Sequence, residues 1–158
     1  MAKTYPLRPF LPADLDALRD LFAQSIDVLA AEDYSEDQRI AWAGRAADKA
    51  TFGARLAGAT TLVVVVNGKH AGFASLRDNN VLDMLYVHPH FARQGIGTAL
   101  ADALERLAQA RGAKDITADV SDTAEPFFAG RGYVAMQRNL NPIDDAWLSN
   151  TTMKKQLA

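Results

Sequence analysis

One stretch constrains the fold more than any other. Val81-Leu82-Asp83-Met84-Leu85-Tyr86-Val87 leads into a polar loop, then Gly95-Ile96-Gly97, then a patterned run ending at Arg111. The first seven residues are apolar and partly β-branched, and they read as a strand ended by Pro89. After the glycines, Ile96, Leu100, Ala103, Leu104 and Leu107 recur at three- and four-residue steps. Asp102, Glu105, Arg106 and Gln109 fall between them, so a helix with one apolar stripe is predicted over 95–111. Gly112 suits its C-terminal cap. Asp115–Val120 reads as the next strand. A strand, a helix and a strand in this order imply a right-handed crossover with parallel strands.

The flanking segments complete a mixed α+β domain. Tyr5–Phe10 reads as a short strand, pushed toward a sheet edge by Pro6 and Pro9. Leu15, Leu18, Phe22, Ile26 and Leu29 mark one face of a helix. Ser35 and Gln38 fit a capping box, with Trp42 on the inner side of the helix that follows. Thr51–Leu56 reads as a further short helical turn. Thr60–Val66 is dense in β-branched residues, and Asn67-Gly68 is the pair that suits a type I′ hairpin turn into Lys69–Arg77. Thr123–Ala129 reads as a short helix. Tyr133–Asn139 and Leu148–Leu157 read as final strands, with Asn141, Pro142 and Asp144 in a loose connection. At 158 residues the chain fits one domain spanning 1–158, large enough for a real core.

The glycine turn carries the chemistry. The first amides of a helix lack intrahelical partners and lie at the positive end of its dipole, so they form a ready phosphate site. Arg93 adds a cation, and Thr98 a hydroxyl. A purely structural turn for close helix packing is the competing reading. A dinucleotide fingerprint fails, because Gly95-Ile96-Gly97-Thr98-Ala99-Leu100 lacks the third glycine. A P-loop fails, because no Gly-Lys-Ser/Thr follows.

The stretch resembles the acyl-CoA-binding motif of the GCN5-related N-acetyltransferases, the GNAT family. The family form is Gln/Arg-x-x-Gly-x-Gly/Ala after a strand ending in Val-x-Pro. Val87-His88-Pro89 and Gly95-Ile96-Gly97 match it, although Ala92 holds the first position and the cation is displaced to Arg93. The order of the remaining elements is also similar, as are Phe127-Phe128-x-x-x-Gly132-Tyr133 and Met153-x-Lys155. Tyr34-Ser35-x-x-Gln38-x-x-x-Trp42 resembles a branch of small bacterial acetyltransferases.

The resemblance implies a mostly antiparallel sheet with helices on both faces. It also implies that the strand at 81–87 splays from its parallel neighbour at 115–120. Acetyl-CoA would be the co-substrate. The main chain of Leu85, Tyr86 and Val87 would contact pantetheine and the thioester. The amides of Arg93, Gln94, Gly95, Ile96, Gly97 and Thr98 would hold the pyrophosphate, with Ser121, Phe127 and Phe128 near the thiol arm. Many members place a tyrosine acid where this chain has Phe128, which cannot donate a proton. The alternatives are Tyr133, Tyr86 and Ser121 as donors, or departure of the thiolate without an acid. Asp83 is the candidate base, expected by strand alternation to share a face with Leu85. The implied reaction is acetyl transfer to a primary amine of a small molecule or peptide. A non-catalytic acyl-CoA sensor or interaction domain is the competing class, and a ribosomal-protein or histone acetylase is a weaker third reading.

Composition narrows the rest. With no cysteine, a cysteinyl acetyl-enzyme is excluded, so transfer is expected within a ternary complex. His88 near His90 lacks a third ligand, so no metal is expected, and a loop His88 reads more readily as solvated than as a base. The net charge of -2 argues against nucleic acid as a partner. No signal-peptide pattern or long apolar run is present, so a cytoplasmic protein with no membrane association is expected. A second copy of the chain is a candidate partner. Glu32, Asp33, Tyr34, Glu36 and Asp37 form an acidic loop that either draws in a cationic amine or simply caps a helix.

Overall fold

In the computed structural model, which describes residues 4–157, the crossover forms where the pattern puts it. Strand β4 (Val81–Val87) leads through a turn into α4 (Ile96–Ala110) and then β5 (Asp115–Ser121). Before it come β1 (Leu7–Pro9), α1 (Leu15–Leu29), α2 (Glu36–Ala43), α3 (Lys49–Ala57), β2 (Thr60–Val66) and β3 (Lys69–Arg77). After it come α5 (Glu125–Gly130), β6 (Val134–Ile143) and β7 (Ala146–Gln156). One seven-stranded sheet runs β1-β2-β3-β4-β5-β7-β6, antiparallel throughout except for the parallel pair β4–β5. Pro9, the last residue of β1, sits in an edge strand, where a missing amide costs no ladder bond, and Pro6 lies just before the strand.

Two cores flank the sheet. On one face Ile96, Leu100 and Leu104 of α4 pack on Val64, Ala74, Leu82 and Ile116. On the other, Leu18, Phe22 and Ile26 of α1 and Phe52 and Leu56 of α3 pack on Val63, Phe73 and Met84. Gly72 on β3 lets α4 come this close. A Cβ there would lie 2.8 Å from the Ile96 side chain and 3.2 Å from the Tyr86 carbonyl oxygen.

The β3–β4 ladder carries a bulge. Ser75 faces Met84 and Leu76 faces Leu82, which leaves Asp83 as the extra residue. Leu82 therefore joins the α4 core while Met84 joins the α1–α3 core, although an unbroken strand would point both the same way. The final hairpin is tighter than its proline suggested. β6 continues through Pro142, and only Asp144 and Asp145 turn the chain between the paired Ile143 and Ala146. Pro142 is tolerated because β6 is the other edge strand.

A buried polar knot fixes the first strand to α1. Asp14 accepts from both terminal nitrogens of Arg8 at 2.7 Å, from the Leu11 amide at 2.8 Å, and meets His70 Nε2 at 2.8 Å. These bonds, led by Arg8, hold its carboxyl well below the usual carboxylate range. A depressed folded-state value stabilises above the unfolded carboxylate pKa and is lost as pH falls through the folded value. Asp14→Asn should lower unfolding free energy by about 2 kcal/mol at neutral pH. In urea titrations its deficit against wild type should shrink as pH falls below about 4.

Candidate active site

The parallel pair is joined at one end only. Val81 and Thr117 form its single register pair, beside a Thr117 amide to Asn80 carbonyl bond of 2.9 Å. Beyond it β4 stays with β3 as far as Val87, and β5 stays with β7 as far as Ser121. The facing edges of the two strands thus lack strand partners along most of their length, and backbone groups left so demand other partners. A cleft of about 660 Å³ runs through this gap and reaches both faces of the sheet.

On the α4 side the cleft is walled by Leu85, Val87, the loop before α4, Ile96, Gly97, Thr98 and Phe127. Arg93 and Gly95 are both left-handed, with φ of 62° and 87°, and Gly95 is the N-cap. The first backbone bond of α4 runs from the Ala99 amide to the Gly95 carbonyl at 3.0 Å. No side chain caps this terminus. Among the described residues the amides of Ile96, Gly97 and Thr98 therefore carry no partner. Gly97 is not a packing glycine. A Cβ there would lie 3.6 Å from Phe127 and 3.9 Å from Val87, ordinary contact distances, and its φ is unremarkable. Those neighbours make Gly97 part of the cleft wall. The Tyr5 hydroxyl holds the loop by donating to the Gln94 carbonyl at 2.6 Å.

On the opposite side the cleft is lined by Phe22 and Ile26 of α1, by Trp42, Tyr86 and Leu148, and by Arg45, Arg55, Arg77 and Asp83. The bulge turns Asp83 toward α3 and away from the face of Leu85, so the expected alternation fails there. Both Asp83 oxygens accept from Arg55, at 2.8 and 3.1 Å, and Arg77 stands 3.7 Å away. Tyr86 packs against Phe22 and stacks on Phe73. Its oxygen accepts from Trp42 Nε1 at 3.3 Å, which leaves the phenolic proton free. Burial pushes the Tyr86 phenol up, so it stays protonated at neutral pH.

Ser121 lines the cleft and accepts from the Ala124 amide at 3.1 Å. Phe127 and Phe128 both reach the cleft, Phe128 from within the α4 core. Tyr133 is elsewhere. It is buried behind Phe128, donates to Glu105 at 2.9 Å and does not line the cleft. This removes it as a proton donor to a ligand there. His88 caps the turn after β4, its Nδ1 accepting from the His90 amide at 3.1 Å. Among the described residues no group of three or more His, Cys, Asp or Glu is placed to hold a metal ion.

The acidic loop behaves as a cap. Ser35 and Gln38 exchange the two bonds of a capping box, and Glu36 and Asp37 occupy the first helical turn outside the cleft. Tyr34 is buried, accepts from the Asp122 amide at 2.9 Å and donates to the Ser149 carbonyl at 2.7 Å. Sequence reasoning missed the three arginines of this half. No spacing announces them, because Arg45, Arg55 and Arg77 come from three different parts of the chain.

Comparison with known proteins agrees with this geometry. Residues 30–157 match the family model described as acetyltransferase (GNAT) domain. The chain is 30% identical over 148 residues to the uncharacterized N-acetyltransferase YafP of Escherichia coli, covering 94% of this chain and 93% of that one. A GCN5-related N-acetyltransferase structure from Rhodopseudomonas palustris superposes with a TM-score of 0.96 at 51% identity, over 99% of this chain and 98% of that one. The PaiA N-acetyltransferase of Thermoplasma acidophilum, solved with coenzyme A, shares the fold at a TM-score of 0.78 and 19% identity, over 98% and 99% of the two chains.

Glu105 also binds Lys155 at 2.7 Å and Arg131 at 3.0 Å, so it keeps two cations if the tyrosine hydroxyl is lost. Tyr133→Phe should therefore cost only about 1 kcal/mol, lowering the thermal midpoint by about 2–4 °C. Ligand affinity of the cleft should not change.

Proposed function

The chain belongs to the GNAT acetyltransferase family, and from that premise we propose that it transfers the acetyl group of acetyl-CoA directly to a primary amine of a small molecule or peptide. Acetyl-CoA is the co-substrate of this family. The observation that carries the reading is the one-ended pairing of β4 with β5, together with three unpartnered amides at the mouth of the gap. An extended ligand with its own amides can lie along the open edge of β4 as an added strand. The amides of Ile96, Gly97 and Thr98, at the positive end of α4, suit a pyrophosphate. Arg93 beside them adds a charge-assisted contact.

The gap would put the thioester between the two halves of the cleft, with the acceptor on the arginine-lined side. The amine nitrogen attacks the carbonyl carbon, and a main-chain amide near Val87 takes the developing oxyanion. Collapse breaks the carbon–sulfur bond, the nitrogen passes its proton to a water in the open cleft, and the thiolate takes one from a donor that solvent then reprotonates. Tyr86 is the proposed donor to the thiolate, since its proton is uncommitted and it lines the cleft. Asp83 is the carboxylate that β4 itself brings to the acceptor side. With Arg55 on both oxygens it acts as an anion that accepts from the amine and orients it. We place the protein in the cytoplasm; no described helix is long and apolar enough to cross a membrane. A second copy is the candidate partner at edge strand β6, which exposes Val134, Met136 and Leu140.

A second reading rests on Phe128 and the buried Tyr133, which leave the usual acid position empty of a proton donor. On that reading the domain binds acyl-CoA without turnover. Thiol release from acetyl-CoA across an amine panel separates the two, since tight CoA binding with no turnover on any amine favours the sensor.

Gly97→Glu sets a carboxylate against the phosphate site without a clash in the fold. Calorimetry should show CoA affinity falling on the order of a hundredfold, with the melting temperature retained. Unchanged affinity would sink the phosphate assignment. Asp83→Asn should lower turnover about ten- to a hundredfold while leaving the Michaelis constant for acetyl-CoA within about twofold. Wild-type turnover across the pH range would remove Asp83 from the reaction.

A further inference from the structure

The acceptor half of the cleft has a charge opposite to what an amine-binding site would be expected to carry. Three guanidinium groups, Arg45, Arg55 and Arg77, line it against two carboxylates: Asp83 and, across the gap on β5, Asp119, which accepts from the Thr152 hydroxyl at 2.6 Å. Arg55 is spent on Asp83 through two hydrogen bonds. Arg77 divides itself between Asp78 at 3.2 Å and Asp83 at 3.7 Å. Arg45 makes no ion pair among the described residues, yet it lies near enough to Tyr86 to act on its phenol by charge. It is held at the wall of the cleft by the short helical turn Gly44–Ala46, whose Ala46 is buried in the α1–α3 core. The acidic residues that could have balanced it, Glu36 and Asp37, lie on α2 outside the cleft.

We propose that the acceptor is an amine that also carries a carboxylate, on the scale of an α-amino acid with an apolar or aromatic side chain. The inference rests on the acetyl-transfer reading and names the acceptor class for it. Arg45 is the free cation for the carboxylate, since a guanidinium presents a fork that matches its two oxygens. Phe22, Ile26, Trp42 and Leu148 supply an apolar wall for the side chain. Asp83 remains for the amine. The excess of positive charge serves the chemistry as well. A cationic surrounding disfavours the ammonium form and raises the share of neutral amine, the form that attacks. That field relieves the chain of a dedicated strong base, which the engaged Asp83 does not provide.

The test is a binding measurement first. Protein saturated with CoA is titrated calorimetrically with a panel of apolar and aromatic L-amino acids, with their amides and with the matching decarboxylated amines. The expected result is at least tenfold tighter binding of one or more acids than of the corresponding amide and amine, and near-equal binding of all three by Arg45→Gln. Equal or tighter binding of the amides, no binding of any acid, or a preference that survives in Arg45→Gln each overturns the proposal. Thiol release from acetyl-CoA with the same panel is then read separately. Carboxylate-selective binding without acetylation would keep the acceptor-side assignment and reject catalysis. Acetylation that prefers the amides would keep catalysis and reject the carboxylate. In the Arg45→Gln enzyme the Michaelis constant for the acid should rise at least tenfold, while that for acetyl-CoA stays put.

Discussion

The cleft of this molecule depends on a parallel strand pair that is allowed to pair at one end only. A continuous β4–β5 ladder would satisfy the backbone and close the sheet. Instead the strands meet at Val81 and Thr117 and then part. Each remains secured on its far side, β4 by β3 and β5 by β7, so the parting does not unravel either strand. The open edge is thus a stable feature with unmet hydrogen-bonding capacity, held inside a packed protein. The helix that joins the two strands enters the same opening with its own unmet amides. One topological choice, a crossover with incomplete closure, therefore leaves an open strand edge and unmet helix amides at the same opening, the two features on which the proposed acetyl-CoA site rests.

The bulge at Asp83 is the second consequence of the same region. It shifts the residues before it to the other face, so that Leu82 fills one core and Met84 the other. It also delivers a carboxylate to the acceptor side of the sheet. Arg55 meets it from α3, and Tyr86 follows on the same face, packed among Phe22 and Phe73. This side is consequently a mixed wall, apolar from α1 and cationic from Arg45, Arg55 and Arg77, with one of its two anions, Asp83, placed by a defect in strand geometry and the other, Asp119, by β5.

Much of this was legible in the sequence. The β-branched run at 60–66, the Asn67-Gly68 turn and the stripe of α4 each specify their element locally, and the elements form within a residue or two of expectation. The capping box at Ser35 is likewise a local pattern with a local outcome. The glycine turn was readable because helix termini have predictable unmet amides. What escaped was set by distance. Alternation assigned Asp83 to the wrong face, because a bulge depends on how β3 pairs and leaves no mark in the strand itself. The arginines of the acceptor wall come from separate elements that only the packed sheet brings together. Tyr133 stands among the candidate acids only for its hydroxyl, and that hydroxyl is buried on Glu105, a partner 28 residues away in the sequence.

Tyr34 adds a mechanical property to the cleft. Its hydroxyl ties the segment after α1 to the Ser149 carbonyl on β7 and to the Asp122 amide after β5. Helix α1 itself lies against β3 and β4, so this segment acts as a strut across the gap. The two half-sheets are then fastened twice, once at the apex where the strands meet and once at the open side. A wedge braced in this way has a fixed aperture. It neither zips shut when empty nor has to be pried apart when a ligand arrives, and the free energy of binding goes into contact with the ligand instead of into opening the protein.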